Sequence, residues 1–466
     1  MNMITHSLTV FLAALTSSLS AESGMNFGAR MEQALSASVK MLTHVIHAML
    51  QEMDDAIAKD AMRMKDWQII RIDERTLTTN FGELHFKRRY YRHKESGKTA
   101  YLLDEAFGIQ AYAKVNGDVR QQAVLTAESA SYAKSAKASS VTGISSMSVC
   151  NYVSDLKNFP ALKAEGKRRS VKQLYVEADE DHVSLQNGRK AQKKLVYIHE
   201  GVREEGGRRT LVNPRYLTWP LGGDIDALWE EVCDYIEQQY VSEGLERVFL
   251  SGDCAKWIRK GEEWLYPCVP VLDGFHTMKA LRSLCAGKQE RIFTFLNHVW
   301  ADEQEQARAL CQTILEETPS KQREGRQQLA KYLLGNWVRI RNQRHPGALG
   351  CSAEGHVSHI LSARLSSRPL GWSQHNMESI ADLRVMKANG QVIDYEQLRK
   401  ELGGGITTAE PSKASELVNA RSFKNTLKKA AKASLKITCA SIPILTQGKN
   451  SPLYQALHGL SAIPVA

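Results

Sequence analysis

Two apolar runs, each ending on an acid, constrain this chain more than anything else in it. They are "QLYVEADEDHVSLQ", which ends around Asp179, and "ERVFLSGDCAKWI", which ends at Asp253. A run of that length and apolarity is buried in a sheet, and an ionised carboxylate cannot follow it inside, so each acid is expected at the sheet's rim. Between the two, "KKLVYIHEGV" and "NPRYLTWPL" read as further strands and "DIDALWEEVCDYIEQQYV" as an amphipathic helix. Next, "LYPCVPVLDGFHTMKALRSL" is a strand running into a helix, and a polar, helical pattern fills 288–342. The expectation is an α/β fold, a mixed sheet with its functional residues at strand ends. At 466 residues the chain is too long for one ordinary domain.

Upstream of the sheet the patterns change. Residues 28–65 repeat apolar positions at helical spacing, and "TLTTNFGELHFKRRYYRHKESG" alternates as a hairpin does. Arg88 and Arg89 make that hairpin basic, beside Tyr90 and Tyr91, so it is a candidate for nucleic-acid contact or a solvated edge. From 119 to 160 helical spacing returns, with a break at Thr142-Gly143 before "ISSMSVCNYVSDL". Helix, Gly-containing turn and a second helix opening on serines is the helix-turn-helix order, which puts Ser145, Ser146 and Ser148 where phosphates or base edges are met. "ALKAEGKRRSVKQ" reads as a basic linker.

The net charge of +10 suits a polyanionic partner. Eight scattered cysteines without a C-x-x-C pair argue against a zinc ribbon or a secreted disulfide framework and for reduced cytosolic thiols. The opening "MNMITHSLTVFLAALTSSLSAESG" has a short apolar core but no Lys or Arg ahead of it, so it reads as an ordinary helix or as residues before a start at Met25. No later run is apolar enough for a membrane span. No G-x-x-x-x-G-K-[ST] loop occurs, which argues against a nucleotide-driven motor.

Asp179 and Asp253, if on neighbouring strands, with Glu354 from a helix alongside, can supply hard oxygen ligands for two Mg²⁺ or Mn²⁺ ions; the alternative for each Asp is to cap the turn that follows its strand. Asp181, two residues on, competes with Asp179 for the first position. Glu354 lies in "CSAEGHVSHILSARLSSRPLGW", where Ser352 is placed to cap the helix and Arg364 and Arg368 follow. A zinc-protease reading fails, because His356 and His359 are three apart and Glu354 precedes both.

Taken in order, "TTNFGELHFKRRYY", "YLLDEAFGI", "LYVEADEDHVSLQ", "GDCAKWI", "LDGFHTMKAL", "GNWVRI" and "GCSAEGHVSHILSARLSSRPLGW" resemble bacterial insertion-sequence transposases of the DDE class, in particular the ISLre group related to the Mutator-like enzymes. The resemblance covers roughly residues 76–372. It implies a ribonuclease-H-like core with a helical insertion between the second Asp and the Glu, and Glu354 does stand 101 positions after Asp253. It implies Asp179, Asp253 and Glu354 as the catalytic, metal-holding carboxylates, Asp273 and His276 as a D-x-x-H support, and Trp337 as a residue that stacks on a base or packs in the core. Glu180 and Cys254 depart from the pattern, which commonly has Gly at both positions.

The expected organisation is an N-terminal helical and hairpin region over 1–115 and a helix-turn-helix-like region over 116–165. The core follows in two parts, 170–285 and 346–405, around an insertion over 286–345, and a basic segment closes the chain over 406–466. The expected activity is DNA cleavage and strand transfer at terminal inverted repeats and target DNA, by a homo-oligomer in the cytoplasm on the nucleoid, with no membrane. The rivals are a nuclease or resolvase that cuts without joining and a DNA-binding protein with an idle site.

Overall fold

The computed structural model describes residues 10–15, 17, 24–368 and 371–399. The basic segment over 406–466 lies outside the described residues, as does most of the N-terminal stretch. The chain divides into two compact units, one of residues up to Ala127 with Ser131–Tyr152, the other of Glu128–Ala130 with Val153–Arg399.

In the first unit a long helix α1 (Phe27–Ala58) starts where the Asn26 side chain accepts the Ala29 N–H at 2.9 Å. The hairpin β1 (Trp67–Thr79) and β2 (Gly82–His93) pairs antiparallel, and β3 (Thr99–Ala100) adds to it. Leu50 and Ile57 of α1 pack on Trp67, Leu77, Leu84, Phe86 and Tyr91, with Leu102 and Leu103 of the short helix α2 (Leu102–Phe107) closing the core. Helices α3 (Gly117–Ala127), α4 (Tyr132–Ala138) and α5 (Ser146–Ser154) follow. Between α4 and α5, Gly143 takes φ +71° and the Ile144 N–H returns to the Ala136 carbonyl at 3.1 Å. The expected helix, turn and helix is therefore present as local structure.

The second unit is built on a five-stranded sheet. Its strands are β4 (Gln173–Ser184), β5 (Lys190–His199), β8 (Arg215–Thr218), β9 (Arg247–Gly252) and β10 (Cys268–Leu272), and a small ribbon, β6 (Val202–Glu205) with β7 (Arg208–Leu211), lies between β5 and β8 in sequence. β4, β5 and β8 pair antiparallel, while β9 and β10 run parallel to β4. β4 is central and buried on both faces, which is why its apolar run is continuous rather than alternating. Leu174, Val176 and Ala178 face helices α6 (Ile225–Gln239) and α7 (Lys256–Trp264), where Trp229 and Ile258 fill the layer. The indole of Trp229 lies so close to Gly261 that a Cβ there would stand 2.7 Å from it. The opposite face carries Tyr175, Phe249 and Val271.

After β10 comes α8 (Gly274–Leu284), and then the polar stretch folds as α9 (Gln289–Trp300), α10 (Gln304–Glu316), α11 (Ser320–Gly335) and α12 (Trp337–Arg341). These helices share one apolar cluster with Leu272, Leu281 and Leu284, so the insertion grows out of the end of the sheet. The chain returns through α13 (Ala353–Val357), a π-helical turn (Ser358–Ser362), a last turn (Ala363–Leu365) and α14 (Gln374–Ala388), and ends in α15 (Tyr395–Leu398). Among the described residues no helix is long and apolar enough to cross a membrane.

Candidate active site

The register of the three parallel strands brings the acids together. Gly252 pairs with Ala178 on β4 and with Leu272 on β10, so Asp179, Asp253 and Asp273 are each the next residue after one row of the sheet. The close approach at Gly252 is enforced by space: a Cβ there would stand 2.5 Å from the Ala178 carbonyl. Each acid is fixed by its own backbone. Asp179 accepts the Glu180 N–H at 2.8 Å, Asp253 the Ala255 N–H at 2.7 Å, and Asp273 the Phe275 N–H at 3.1 Å as the N-cap of α8. Cys254, where Gly is common in the pattern, takes φ +64°, so the turn after Asp253 demands a left-handed residue.

Crowding of like charge marks the site. Burial pushes the Asp179 carboxyl up to about 6; Asp253 and Glu180 add to the shift, and the Glu180 N–H and His276 oppose it. Burial also raises Asp273, with Glu177 and Glu354 adding, against the Phe275 N–H and His276. His276 thus acts on both Asp179 and Asp273, and Glu354 acts on Asp273. No lysine or arginine makes an ion pair with these acids among the described residues. A set of carboxylates crowded in this way, with no cation side chain, fits Mg²⁺ or Mn²⁺ by its donor chemistry. Among the described residues no three such side chains converge closely enough to cage an ion.

Glu354 is exposed in the first turn of α13, and what holds that helix was not visible in the sequence. Ser352 was expected to cap it, but its hydroxyl makes no cap bond. Instead the Ser352 N–H and hydroxyl donate to the Glu177 carboxylate at 2.6 and 3.2 Å, and the hydroxyl also lies 2.9 Å from the Tyr197 hydroxyl. Glu177 is 3 % exposed and also receives the Tyr197 hydroxyl and His199 Nε2, the latter at 3.1 Å. Burial alone would raise its carboxyl, but the bonds from His199, Tyr197 and Ser352 hold it below the ordinary range. His356 sits against Tyr216, Nδ1 to hydroxyl 3.0 Å, with its ring 4.7 Å from that of Tyr197; His359 is exposed.

Asp181, the rival for the first position, points to the same face as Asp179 and accepts the Ser362 and Ser366 hydroxyls at 2.9 and 2.8 Å. Those bonds tie it to the returning helical segment. The Trp-ending motif continues the fastening: Trp372 bonds Ser184 and Gln186 through its backbone, and its indole N–H reaches the Leu365 carbonyl at 2.9 Å.

The residues picked out for DNA contact divide. Arg88 is buried, contacts Asp104 and lies 3.5 Å over the Tyr101 ring, while Arg89 pairs with Asp54 and Asp55 of α1 at 2.6 and 2.7 Å. Both therefore belong to the hairpin's own structure. Period-two alternation already put Arg88 on the face of Leu84 and Phe86, a signal the basic composition obscured. Trp337 is 5 % exposed, edge-on to Phe295, with its N–H on Asp302 at 2.9 Å, so of the two readings open to it the structure has the core one. Arg364 is buried over the Trp372 ring at 4.6 Å. Ser145 and Ser148 bond to each other at 2.9 Å, with Ser145 accepting the Ser148 N–H at the start of α5. Ser145, Ser146 and Arg368 are exposed.

A family model described as an uncharacterised protein family, UPF0236, matches residues 20–401. The chain belongs to that family. A UPF0236 protein of Caldanaerobacter subterraneus subsp. tengcongensis is 32 % identical over 447 residues, covering 94 % of this chain and 93 % of its own length. A second from the same organism, 31 % identical over 449 residues and covering 94 % and 92 %, has a name that carries eleven locus designations. A more distant UPF0236 protein, from Streptococcus gallolyticus, is 25 % identical over 377 residues, 77 % of this chain and 82 % of its own, and is named for its position 3′ of vanSb.

Proposed function

We propose that this UPF0236 protein is a DDE-class transposase with a ribonuclease-H-like core, which cleaves the ends of a mobile DNA element and joins them to target DNA. The observation that carries the reading is the sheet. Three antiparallel strands are followed by two parallel ones beside the first, in the order β10-β9-β4-β5-β8; Asp253 and Asp273 directly follow the ends of β9 and β10, next to Asp179, which lies within β4 rather than at its end. A helical insertion then precedes the helix that carries Glu354, as the resemblance to the ISLre group implies. Eleven locus designations for one relative are what an element that copies itself within a genome would leave.

In this reading Asp179, Asp253 and Glu354 hold two Mg²⁺ ions, which when bound supply Lewis-acid stabilisation of the attacking and leaving oxygens. Asp273 and His276 support that set, His276 opposing the rise of both the Asp179 and the Asp273 carboxyl. In cleavage, water attacks the phosphodiester phosphorus and the P–O3′ bond breaks, so the departing 3′ oxygen takes a proton. In joining, that 3′ hydroxyl attacks a target phosphodiester and the target's own 3′ oxygen leaves. Two ends must meet for concerted joining, so the working form is a homo-oligomer on duplex DNA. Ser145, Ser146 and Arg368 are exposed for DNA contact, and phosphate contacts make binding fall with salt.

The test is strand cleavage and joining on labelled duplexes that carry the boundaries of the gene's own genomic segment, in Mg²⁺. Asp179→Asn, Asp253→Asn and Glu354→Gln are expected to bind the duplex as wild type does and to lose both reactions by more than about 10³-fold, the scale of an essential electrostatic group. Wild-type cutting without joining would make the protein a nuclease; binding without cutting would leave a DNA-binding protein.

A further inference from the structure

The acids on either side of Asp179 form a pattern that the reaction itself does not use. Glu177, Asp179 and Asp181 alternate along β4 and therefore share one face. Glu177 receives the Ser352 N–H at 2.6 Å, and Asp181 receives the Ser362 and Ser366 hydroxyls at 2.9 and 2.8 Å. Four residues of strand span about 13 Å at ~3.3 Å per residue. Ten residues of helix, from Ser352 to Ser362, span about 15 Å at ~1.5 Å per residue. The lengths agree, so the helical segment lies along β4 with one fastening near each end and Glu354 between them.

We propose that Glu177 and Asp181 are positioning residues: they clasp the Ser352–Ser366 segment to β4 on both sides of Asp179 and so set where the Glu354 carboxylate stands. The inference rests on Glu354 being a metal-holding carboxylate, as proposed above. Neither acid is in the row of Asp179, Asp253 and Asp273. Glu177 is enclosed by His199, Tyr197 and Ser352, all on its two oxygens. Asp181 is 6 % exposed with one oxygen on two serines and the other buried without a hydrogen-bond partner among the described residues. A helix of five residues is unstable by itself in water, so it depends on what it packs against and is bonded to, Ala353 and Val357 being its buried residues. Arg384 of α14 adds a fastening from outside, donating to the His359 carbonyl at 2.6 Å and to the Ile360 carbonyl in the π-helical turn.

The experiment uses the full chain and four variants: Glu177→Gln, Asp181→Asn, the double Ser362→Ala/Ser366→Ala, and Glu354→Gln as the reference for a missing carboxylate. Three quantities are read: Mn²⁺ binding by calorimetry without DNA, single-turnover cleavage against Mn²⁺ concentration, and hydrogen exchange of residues 352–366 against that of β9. A clasp predicts that the first three variants raise the Mn²⁺ half-saturation toward that of Glu354→Gln and slow cleavage by about 10²-fold, as a ~1 Å misplacement does. It also predicts faster exchange in 352–366 with β9 unchanged and unaltered duplex binding. The serine double keeps every strand residue, so it reports even where a strand acid is needed for folding. Wild-type Mn²⁺ binding and cleavage in the folded serine double would overturn the clasp while leaving the transposase reading intact. A wild-type protein that binds no Mn²⁺ would overturn both.

Discussion

Replacing Asp104 by Asn tests whether the arginines of the hairpin belong to the protein's own structure or to DNA. Asp104 is the acid on which two guanidiniums converge: Arg75 Nη1 at 2.8 Å, with side-chain exposures of 6 % and 7 %, and Arg88. Arg75 also donates through Nη2 to the Gln110 and Ala113 carbonyls, both at 2.8 Å, which ties the hairpin to the segment after α2. Burial lowers Arg88 to about 10, with Arg75 adding to the shift and Tyr101 opposing it, so Arg88 remains charged at neutral pH; burial also lowers Arg75. Oδ1 of Asp104 and Nε of both arginines are buried without a hydrogen-bond partner among the described residues, so the cluster is incompletely satisfied before any change. Asn keeps the shape and removes the charge, leaving two buried cations without their anion. Breaking a buried ion pair from one side costs about 3–5 kcal/mol. At about 1.4 kcal/mol per tenfold, β1 and β2 amides should exchange some two to three and a half decades faster in Asp104→Asn. Exchange is the appropriate assay because a two-unit chain does not unfold as one transition. In parallel, Arg88→Met should leave the salt dependence of duplex binding unchanged. Exchange within threefold of wild type, together with a salt slope reduced by about 0.9 in Arg88→Met, would mean that Arg88 meets a phosphate and would refute the argument.

Trp337→Ala should destabilise the helical insertion by about 3–5 kcal/mol, read as faster exchange over α9–α12, because a buried indole is removed from a packed cluster. Loss of duplex affinity without that change in exchange would return Trp337 to a base-stacking role. At Cys254, φ +64° should make Cys254→Val cost more than about 1 kcal/mol while Cys254→Gly stays within about 1 kcal/mol of wild type, since relief of the left-handed Cβ offsets the lost packing. Amide exchange of β9 and α7 in the two variants checks this, and equal losses would show that packing rather than backbone conformation governs the position.

How legible the site was depended on whether a residue's partner was near in sequence or distant. Asp179 and Asp253 could be found because each closes an apolar run, a one-dimensional signal with a direct physical cause. Glu177 could not, although it is the most heavily bonded acid of the region. It looked like one more charge in "EADED", and its partners Tyr197, His199 and Ser352 are 20, 22 and 175 residues away. Nor did the sequence show that Asp181 receives Ser362 and Ser366, 181 and 185 residues on. For Arg88 and Arg89 the difficulty ran in the other direction: charge and aromaticity suggested surface chemistry, where Asp54, Asp55 and Asp104 pair with them within the protein.

The sequence by itself determined the local elements and their order: the basic hairpin, the helix pair around Gly143, the buried strands, the helical insertion and the acids that follow the apolar runs. Those follow from periodicity, turn chemistry and the cost of burying charge, which act over a few residues. Only the tertiary structure decided which acids share a row, which acid is engaged elsewhere and what holds Glu354 in place. These depend on strand register and on hydrogen bonds closed across more than a hundred residues, where sequence separation carries no geometric information until the sheet has formed.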